Sequence, residues 1–353
     1  MKTTVYYGLG RPFSPLYSMA MRIREQCYRT GMFRRTVVDV PVISVGNLTM
    51  GGTGKTPMVQ YIARFLQHQG YQPAIISRGY GGATKERINI VSNGREVLLD
   101  AAYVGDEPRL LAETLPGVFV LTGVVRKLPV AKALKMGADV LLLDDGFQHL
   151  AIRRDLDLVL FNADTLAGNS RVFPGGDLRE PVKALHRCHA FILTGSNEQN
   201  RERAEKFSRL LEERFPGRPV FFSGYRFAHL VQQNKEGNSA RVVAPDVLEG
   251  QACYAFCGIA RPEGFRSTLE QLAIEPVAFH PLPDHHVYRK NVVRQLAGQA
   301  ERTGATCFLC TEKDLVKLSD VDLGLPLYAV SMKVDAEQDL TEFVLQFAGK
   351  QTH

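Results

Sequence analysis

The stretch Pro41-Val-Ile-Ser-Val-Gly-Asn-Leu-Thr-Met-Gly-Gly-Thr-Gly-Lys-Thr-Pro57 joins an apolar run to a glycine-rich turn that ends in Gly54-Lys55-Thr56. Glycines let successive backbone N–H groups converge on phosphate oxygens, a lysine supplies a point charge for β and γ phosphates, and a threonine hydroxyl can ligate Mg2+. Such a loop needs a strand before it and a helix after it. Val42–Val45 and the helical spacing of Met58, Ile62, Phe65 and Leu66 provide both. Thr49, Met50, Gly51, Gly52, Thr53, Gly54, Lys55 and Thr56 are therefore the expected nucleotide contacts. Thr49 stands where these loops usually carry their first glycine, and Gly51-Gly52 closes the turn instead. The bland reading of the same residues is a glycine turn with a surface lysine.

Further along, Asp139-Val-Leu-Leu-Leu-Asp144-Asp145-Gly-Phe-Gln-His149 is an apolar strand ending in two carboxylates. Phosphoryl transfer needs a carboxylate at the carboxyl end of a strand beside the phosphate loop, where it holds Mg2+ directly or through water. Seen alone, such acids are mostly solvated turn residues; joined to the loop, they fit a Walker B strand.

Strand and helix signals alternate outward from these motifs. Val42–Val45, Pro73–Ser77, Val118–Leu121, Val140–Leu143, Leu158–Phe161 and Phe191–Thr194 are short and rich in β-branched and leucine residues, as strands buried on both faces are. They predict an α/β fold, a P-loop NTPase-like and mostly parallel sheet. From Phe221 to Ala252 the pattern breaks at Gly224, Asn234, Gly237-Asn238 and Pro245, which predicts a β-hairpin or linker. A second α/β series follows: Cys253–Cys257, a helix after Pro262, Val277–Phe279, a helix over Tyr288–Arg302, Thr306–Cys310 and Leu327–Val330. The expected organisation is an N-terminal helix in 1–35, a phosphate-loop domain over 36–220, a linker over 221–252 and a smaller α/β domain over 253–353, with a cleft between the two domains.

Composition sets wide bounds. With 353 residues, 45% hydrophobic and 23% charged, the chain has the make-up of an ordinary globular protein long enough for two domains. No apolar run approaches the ~20 residues that cross a bilayer, and arginines interrupt the N-terminus where a signal peptide is apolar, so the expected side is cytoplasmic. Cys27, Cys188, Cys253, Cys257, Cys307 and Cys310 are too few and scattered for a disulfide framework and read as buried strand thiols. The net charge of +6 suits an anionic partner but is common without one.

Three further clusters are polar and rich in turn residues. Ser77-Arg-Gly-Tyr-Gly-Gly82 offers Arg78 to a phosphate, or is a glycine turn with an exposed arginine. Gly105-Asp106-Glu107-Pro108 opens a helix that Asp106 could simply cap. Pro283-Asp284-His285-His286-Val-Tyr288 precedes another, with capping by Asp284 the bland alternative; adjacent histidines on a regular helix cannot both face one metal, which disfavours zinc.

Taken in order, the phosphate loop Gly46–Pro57, Ser77-Arg-Gly-Tyr-Gly81, Gly105-Asp-Glu-Pro108, Asp144-Asp-Gly-Phe-Gln-His149, Leu178-Arg-Glu-Pro181, Cys257-Gly-Ile-Ala-Arg-Pro262, Asp284-His285 and Thr311-Glu-Lys-Asp314 resemble the tetraacyldisaccharide 4'-kinase family across nearly the whole chain. The resemblance implies a kinase domain and a smaller α/β domain joined by a β-stranded linker. It also implies transfer of phosphate from ATP, with Mg2+, to the 4' hydroxyl of a tetraacyl glucosamine disaccharide 1-phosphate, giving lipid IVA. By the same resemblance Gly52 to Thr56 cradle ATP, Thr56, Asp144 and Asp145 serve Mg2+, Asp106 is the base, His285 orients or tunes it, and Arg78 and Arg126 contact phosphate or substrate. An aspartate near its ordinary pKa of ~3.9 is a weak base that a neighbouring histidine can assist.

The N-terminal segment argues separately for a membrane. From Ser14-Pro15, the residues Leu16, Met19, Ala20, Ile23, Cys27 and Tyr28 recur near helical spacing among Arg22, Arg24, Arg29, Arg34 and Arg35. Each basic residue at an anionic surface is worth about 1 kcal/mol and each buried apolar side chain roughly 1.5–3, enough together for reversible attachment. The alternative is a helix packed on the kinase domain. The expected location is the cytoplasmic face of a Gram-negative inner membrane, with a lipid substrate and no nucleic acid. A GTPase or metallochaperone-like switch protein is the other reading of Gly-Gly-Thr-Gly-Lys-Thr; Met50 in place of the usual lysine before the two glycines, and the lack of Asn-Lys-x-Asp, oppose it. A lipid-binding adaptor without catalysis is opposed by the intact loop and its carboxylates.

Overall fold

Runs of valine, isoleucine and leucine without polar alternation are stable in a sheet only where both faces are covered. Every residue of β1 (Val42–Asn47), β2 (Pro73–Ser77), β5 (Val140–Asp144), β6 (Leu156–Asn162) and β7 (Ala190–Thr194) is accordingly buried. The computed structural model describes residues 7–84, 86–233 and 240–349. These strands and β4 (Phe119–Thr122) pair in parallel, and the edge strand β3 (Asn89–Asn93) returns antiparallel on β4. β3 is rich in Asn and Ser and gave no strand signal.

With β8 (Val220–Gln232), β10 (Cys253–Cys257), β11 (Ala278–Pro281), β12 (Cys307–Thr311) and β13 (Leu327–Ala336), the two α/β series belong to one continuous sheet, ordered β11-β10-β12-β13-β8-β7-β6-β1-β5-β2-β4-β3. Its hinge is β8 (Val220–Gln232), longer than the broken pattern predicts because Gly224 continues the strand. The first residues of β8 pair parallel with β7, ending at Thr194 with Ser223, and the strand then runs on past that edge. Along its length it pairs antiparallel with β13 (Leu327–Ala336), from Ala336 opposite Ser223 to Tyr328 opposite Gln232. β9 (Arg241–Val243) adds to β8; the turn at Gly237-Asn238 lies outside the described residues. β10 (Cys253–Cys257), β11 (Ala278–Pro281) and β12 (Cys307–Thr311) complete the second series in parallel with β13. Cys253, Cys257, Cys307 and Cys310 are buried thiols on β10 and β12.

One packing feature departs from the expected division at residue 253. The helix Gln338–Ala348 places Leu340, Val344 and Ala348 in the core formed by Ile43, Val45, Met58, Ile62 and Leu142. Phe343 meets Phe221, and Phe347 meets His189. The last helix thus completes the first core, not the second, because β13 runs back along β8 and delivers the chain there.

Within β1, Gly46 decides how closely the turn after β5 approaches. A Cβ there would lie 2.6 Å from the Cβ and 2.7 Å from the N of Phe147, two residues past Asp145. Gly46→Ala is expected to cost about 1–3 kcal/mol of unfolding free energy, as overpacking does. Denaturant titration of the two proteins measures it; equal midpoints and slopes would show that the turn yields freely.

Candidate active site

The phosphate loop leaves β1 at Asn47 and enters the helix Lys55–His68 through Gly54, whose φ of 73° is the left-handed region that glycine adopts without penalty. A segment near Leu178 holds the loop from outside. Met50 N donates to Asp177 O (2.7 Å), Arg179 N donates to Leu48 O (2.8 Å), and Thr194 Oγ1 donates to Thr53 O (2.9 Å). Tyr225 of β8 and Ala260 of the second series close over Gly54 and Gly52.

Asp144 and Asp145 are neighbours in sequence with opposite environments. Asp145 turns out of β5 with a left-handed φ of 49°. It meets Arg179 Nη1 at 2.7 and 2.9 Å and Lys55 Nζ at 3.6 Å, and its carbonyl accepts from Arg126 Nη1 at 3.1 Å. Burial alone would raise its pKa, but Lys55, Arg179 and Arg126 together hold it below the usual range. Asp144 stays within the strand, accepts from Ser77 Oγ at 3.2 Å, and is pushed up to about 7 by burial, with Glu107 and Asp145 adding repulsion. Its Oδ1 is buried without a partner, as is the Oγ1 of Thr53. An orphaned carboxylate oxygen beside a phosphate loop, with hydroxyl and carboxylate oxygens as the local donors, suits a hard divalent cation. Thr56, Asp144 and Asp145 are the residues whose donor types fit one.

Across the cleft, Asp106 opens the helix Asp106–Thr114 and is 7% exposed. The structure places it inside the first turn, where the one backbone N–H its carboxylate accepts is that of the adjacent Glu107 at 3.0 Å, so the simple cap expected from sequence does not form. Both its oxygens lie 3.0 Å from His285 Nδ1. His285 is held with a left-handed φ of 55° on the loop after β11, and the Tyr80 ring packs edgewise on it at 5.9 Å. Asp284 caps no helix either, because the following helix begins only at Lys290. Burial works to raise the Asp106 pKa, but the His285 bond, Lys313 and Lys317 bring it below the usual carboxylate range; the Asp106 bond raises that of His285 against burial and Lys313. The turn after β2 touches both sides of this site: Ser77 donates to Asp144, and three residues on, the Tyr80 ring packs against His285. Arg126 is buried at its wall, while Arg78 is exposed after β2.

Three side chains that sequence reasoning left without a role join this cleft. Arg179 and Lys313 sit in motifs quoted above, but their partners Asp145 and Asp106 are remote in sequence. Arg261, at the start of the helix Pro262–Gln271, pairs with Asp164 and Asn162 and so ties the second series to the end of β6.

A family model described as Tetraacyldisaccharide-1-P 4'-kinase matches residues 8–348. A protein of Desulfotalea psychrophila named tetraacyldisaccharide 4'-kinase is 44% identical, over 98% of this chain and 97% of its own. One of the same name from Syntrophus aciditrophicus is 40% identical over 95% and 91%. Among solved structures, that of LpxK from Aquifex aeolicus in complex with ATP superposes with a TM-score of 0.76 at 31% identity, covering 96% of this chain and 98% of that one. The switch-protein reading gives way to these matches, and the chain belongs to the tetraacyldisaccharide 4'-kinase family.

Proposed function

We infer that this protein transfers the γ-phosphate of ATP to the 4' hydroxyl of a tetraacyl glucosamine disaccharide 1-phosphate, giving lipid IVA. The observation that carries this is a phosphate loop with paired carboxylates and a buried Asp106–His285 pair, joined by the turn after β2, whose Ser77 meets Asp144 and whose Tyr80 meets His285. Residues 36–220 bring the nucleotide side, and strands from 253 onward bring His285. Lys55 and Arg126 place positive charge where the phosphoryl oxygens gather, which is most of what this reaction asks of a protein. Thr56, Asp144 and Asp145 would hold Mg2+, which neutralises phosphate charge when bound. Asp106 accepts the proton of the attacking hydroxyl, with His285 holding and tuning the carboxylate. Arg78, exposed at the mouth, meets an anionic part of the substrate.

The helix Ser14–Arg29 supports attachment to an anionic inner-membrane surface from the cytoplasmic side. One face is docked, through Ser14 Oγ to Val172 O (2.8 Å), Tyr17 Oη to Arg179 O (3.0 Å) and Arg24 Nη2 to Gln148 O (3.1 Å). The other presents Leu16, Met19 and Ile23, each more than half exposed. The docked face fits the packed-helix alternative, and the exposed apolar face is what supports the membrane reading. No helix among the described residues is long and apolar enough to cross a membrane.

Incubation with Mg2+-ATP and tetraacyl disaccharide 1-phosphate is expected to add one phosphate to the lipid by mass spectrometry, and Lys55→Ala to lose nearly all of it. No transfer by the wild type would remove the reading; near-normal transfer by the variant would remove the loop assignment.

Asp106→Asn is expected to lower kcat about 10²–10⁴-fold with ATP affinity little changed. His285→Ala should cost a similar factor, and the double variant much less than the product, as residues acting as a unit do. Steady-state kinetics on all three, with thermal unfolding alongside, decides; multiplicative losses would mean independent roles.

Replacing Leu16, Met19 and Ile23 together by Glu keeps the docked face intact. The variant is expected to move from vesicles containing phosphatidylglycerol into the supernatant in a flotation assay, and added salt should weaken the wild type's binding. Unchanged partitioning would show that this face is not the anchor.

A further inference from the structure

Beyond β12 the chain turns through Thr311-Glu-Lys-Asp314 into the short helix Glu312–Leu315. Asp314, fully buried, accepts from Gly258 N (3.0 Å), Tyr288 Oη (2.8 Å) and Thr311 Oγ1 (2.7 Å), with Lys317 Nζ 2.9 Å away. A carboxylate tied on so many sides fixes this turn, and with it the exit direction of Lys313. The Lys313 ammonium lies 3.4 Å from Glu107, 3.7 Å from Asp106, 3.4 Å from Asp284 and 3.4 Å from His285 Nε2.

We propose that Lys313 is a positioning residue for proton transfer at Asp106: from the second series it binds the Asp106-Glu107 pair of the first and, against His285 Nε2, opposes the protonation of the imidazole that Asp106 favours, so that the neutral ring keeps its Nδ1–H on Asp106. The proposal rests on the assignment of Asp106 and His285 above. An ammonium carries only donors, so at 3.4 Å it can meet only the lone pair of Nε2, which leaves the proton on the nitrogen facing Asp106; Asp284 Oδ2, 3.7 Å from Nε2, lies beyond hydrogen-bond reach. A doubly protonated ring would set two cations 3.4 Å apart and would hold Asp106 in an ion pair that blunts it as a base. The groups facing this point are Asp106 and Glu107 from one helix, Asp284 and His285 from the loop after β11, and Lys317 and Asp314 from the lysine's own turn. Burial alone would lower the Lys313 pKa, but Glu107, Asp106 and Asp284 raise it overall, so the ammonium stays charged at neutral pH.

The test is kcat and the KM for ATP against pH for wild type, Lys313→Met and Lys313→Arg, with unfolding temperatures measured in parallel. Without the lysine charge the His285 pKa rises, so Lys313→Met should lose about 10–100-fold in kcat at neutral pH, the scale seen when the partner that orients a metal-bound histidine is removed. That loss should shrink as pH rises, with the KM for ATP little changed, and Lys313→Arg should keep the acid limb near its wild-type position. A kcat profile lowered equally at every pH, or not lowered at all, would overturn the proposal. Should Lys313→Met not fold, an acid limb in Lys313→Arg displaced far from wild type would overturn it, and a preserved limb would support it. Asp106→Asn assayed alongside separates the two readings. Full activity there removes the base assignment itself, whereas an inactive Asp106→Asn with an unshifted Lys313→Met removes only the role of Lys313.

Discussion

The antiparallel ladder between β8 and β13 is the constraint on which the site depends. β8 runs parallel to β7 and continues past its carboxyl end, while β13 descends along it in the opposite sense. The strands parallel to β13 therefore point their carboxyl ends back toward those of the first series. In α/β proteins ligands sit at the carboxyl ends of strands. Here two sets of such ends face each other: the phosphate loop, Arg78 and Asp145 follow β1, β2 and β5, while Arg261, His285 and Lys313 follow β10, β11 and β12. A cleft with functional groups on both walls follows from strand direction alone.

Within the cleft, two pairs of ionisable groups are pushed apart by their surroundings. Asp145, turned toward Lys55 and Arg179, is held as a carboxylate, while Asp144 in the dry strand is not. Asp106 is nearly as enclosed, yet its three cationic or hydrogen-bonding neighbours outweigh burial. The difference lies in which wall supplies the compensation: for Asp145 it is the first series itself, and for Asp106 it is entirely the second. Asp106 therefore keeps its depressed pKa and its His285 partner only when both walls are together.

Sequence conveyed the parts whose signal is local. The phosphate loop announces itself by glycine, lysine and threonine in adjacent positions, and β1, β2, β5, β6 and β7 by continuous apolar runs. The pairing of Asp106 with His285 was reached only through family resemblance, because nothing in the spacing of residues so far apart implies contact. Arg179, Lys313 and Arg261 were invisible for the same reason: a guanidinium or ammonium carries no local mark of the carboxylate it meets. β8 reads as broken in sequence since glycine weakens a strand interior, and β3 carries no strand signal since its side chains are polar at a sheet edge. The helix Gln338–Ala348 was not anticipated, and its place in the first core is a long-range fact that amphipathicity cannot reveal.

That last helix also imposes an order on biosynthesis. Domains generally fold in turn as a chain emerges during synthesis, N-terminal first. Here the core beneath the phosphate loop lacks Leu340, Val344 and Ala348 until nearly all of the second series has been made. A nascent chain carrying every residue of the phosphate loop still exposes the apolar surface that this helix covers. The nucleotide-binding half therefore reaches its final packing only after the half that carries His285 has been translated, so the two walls of the cleft mature together.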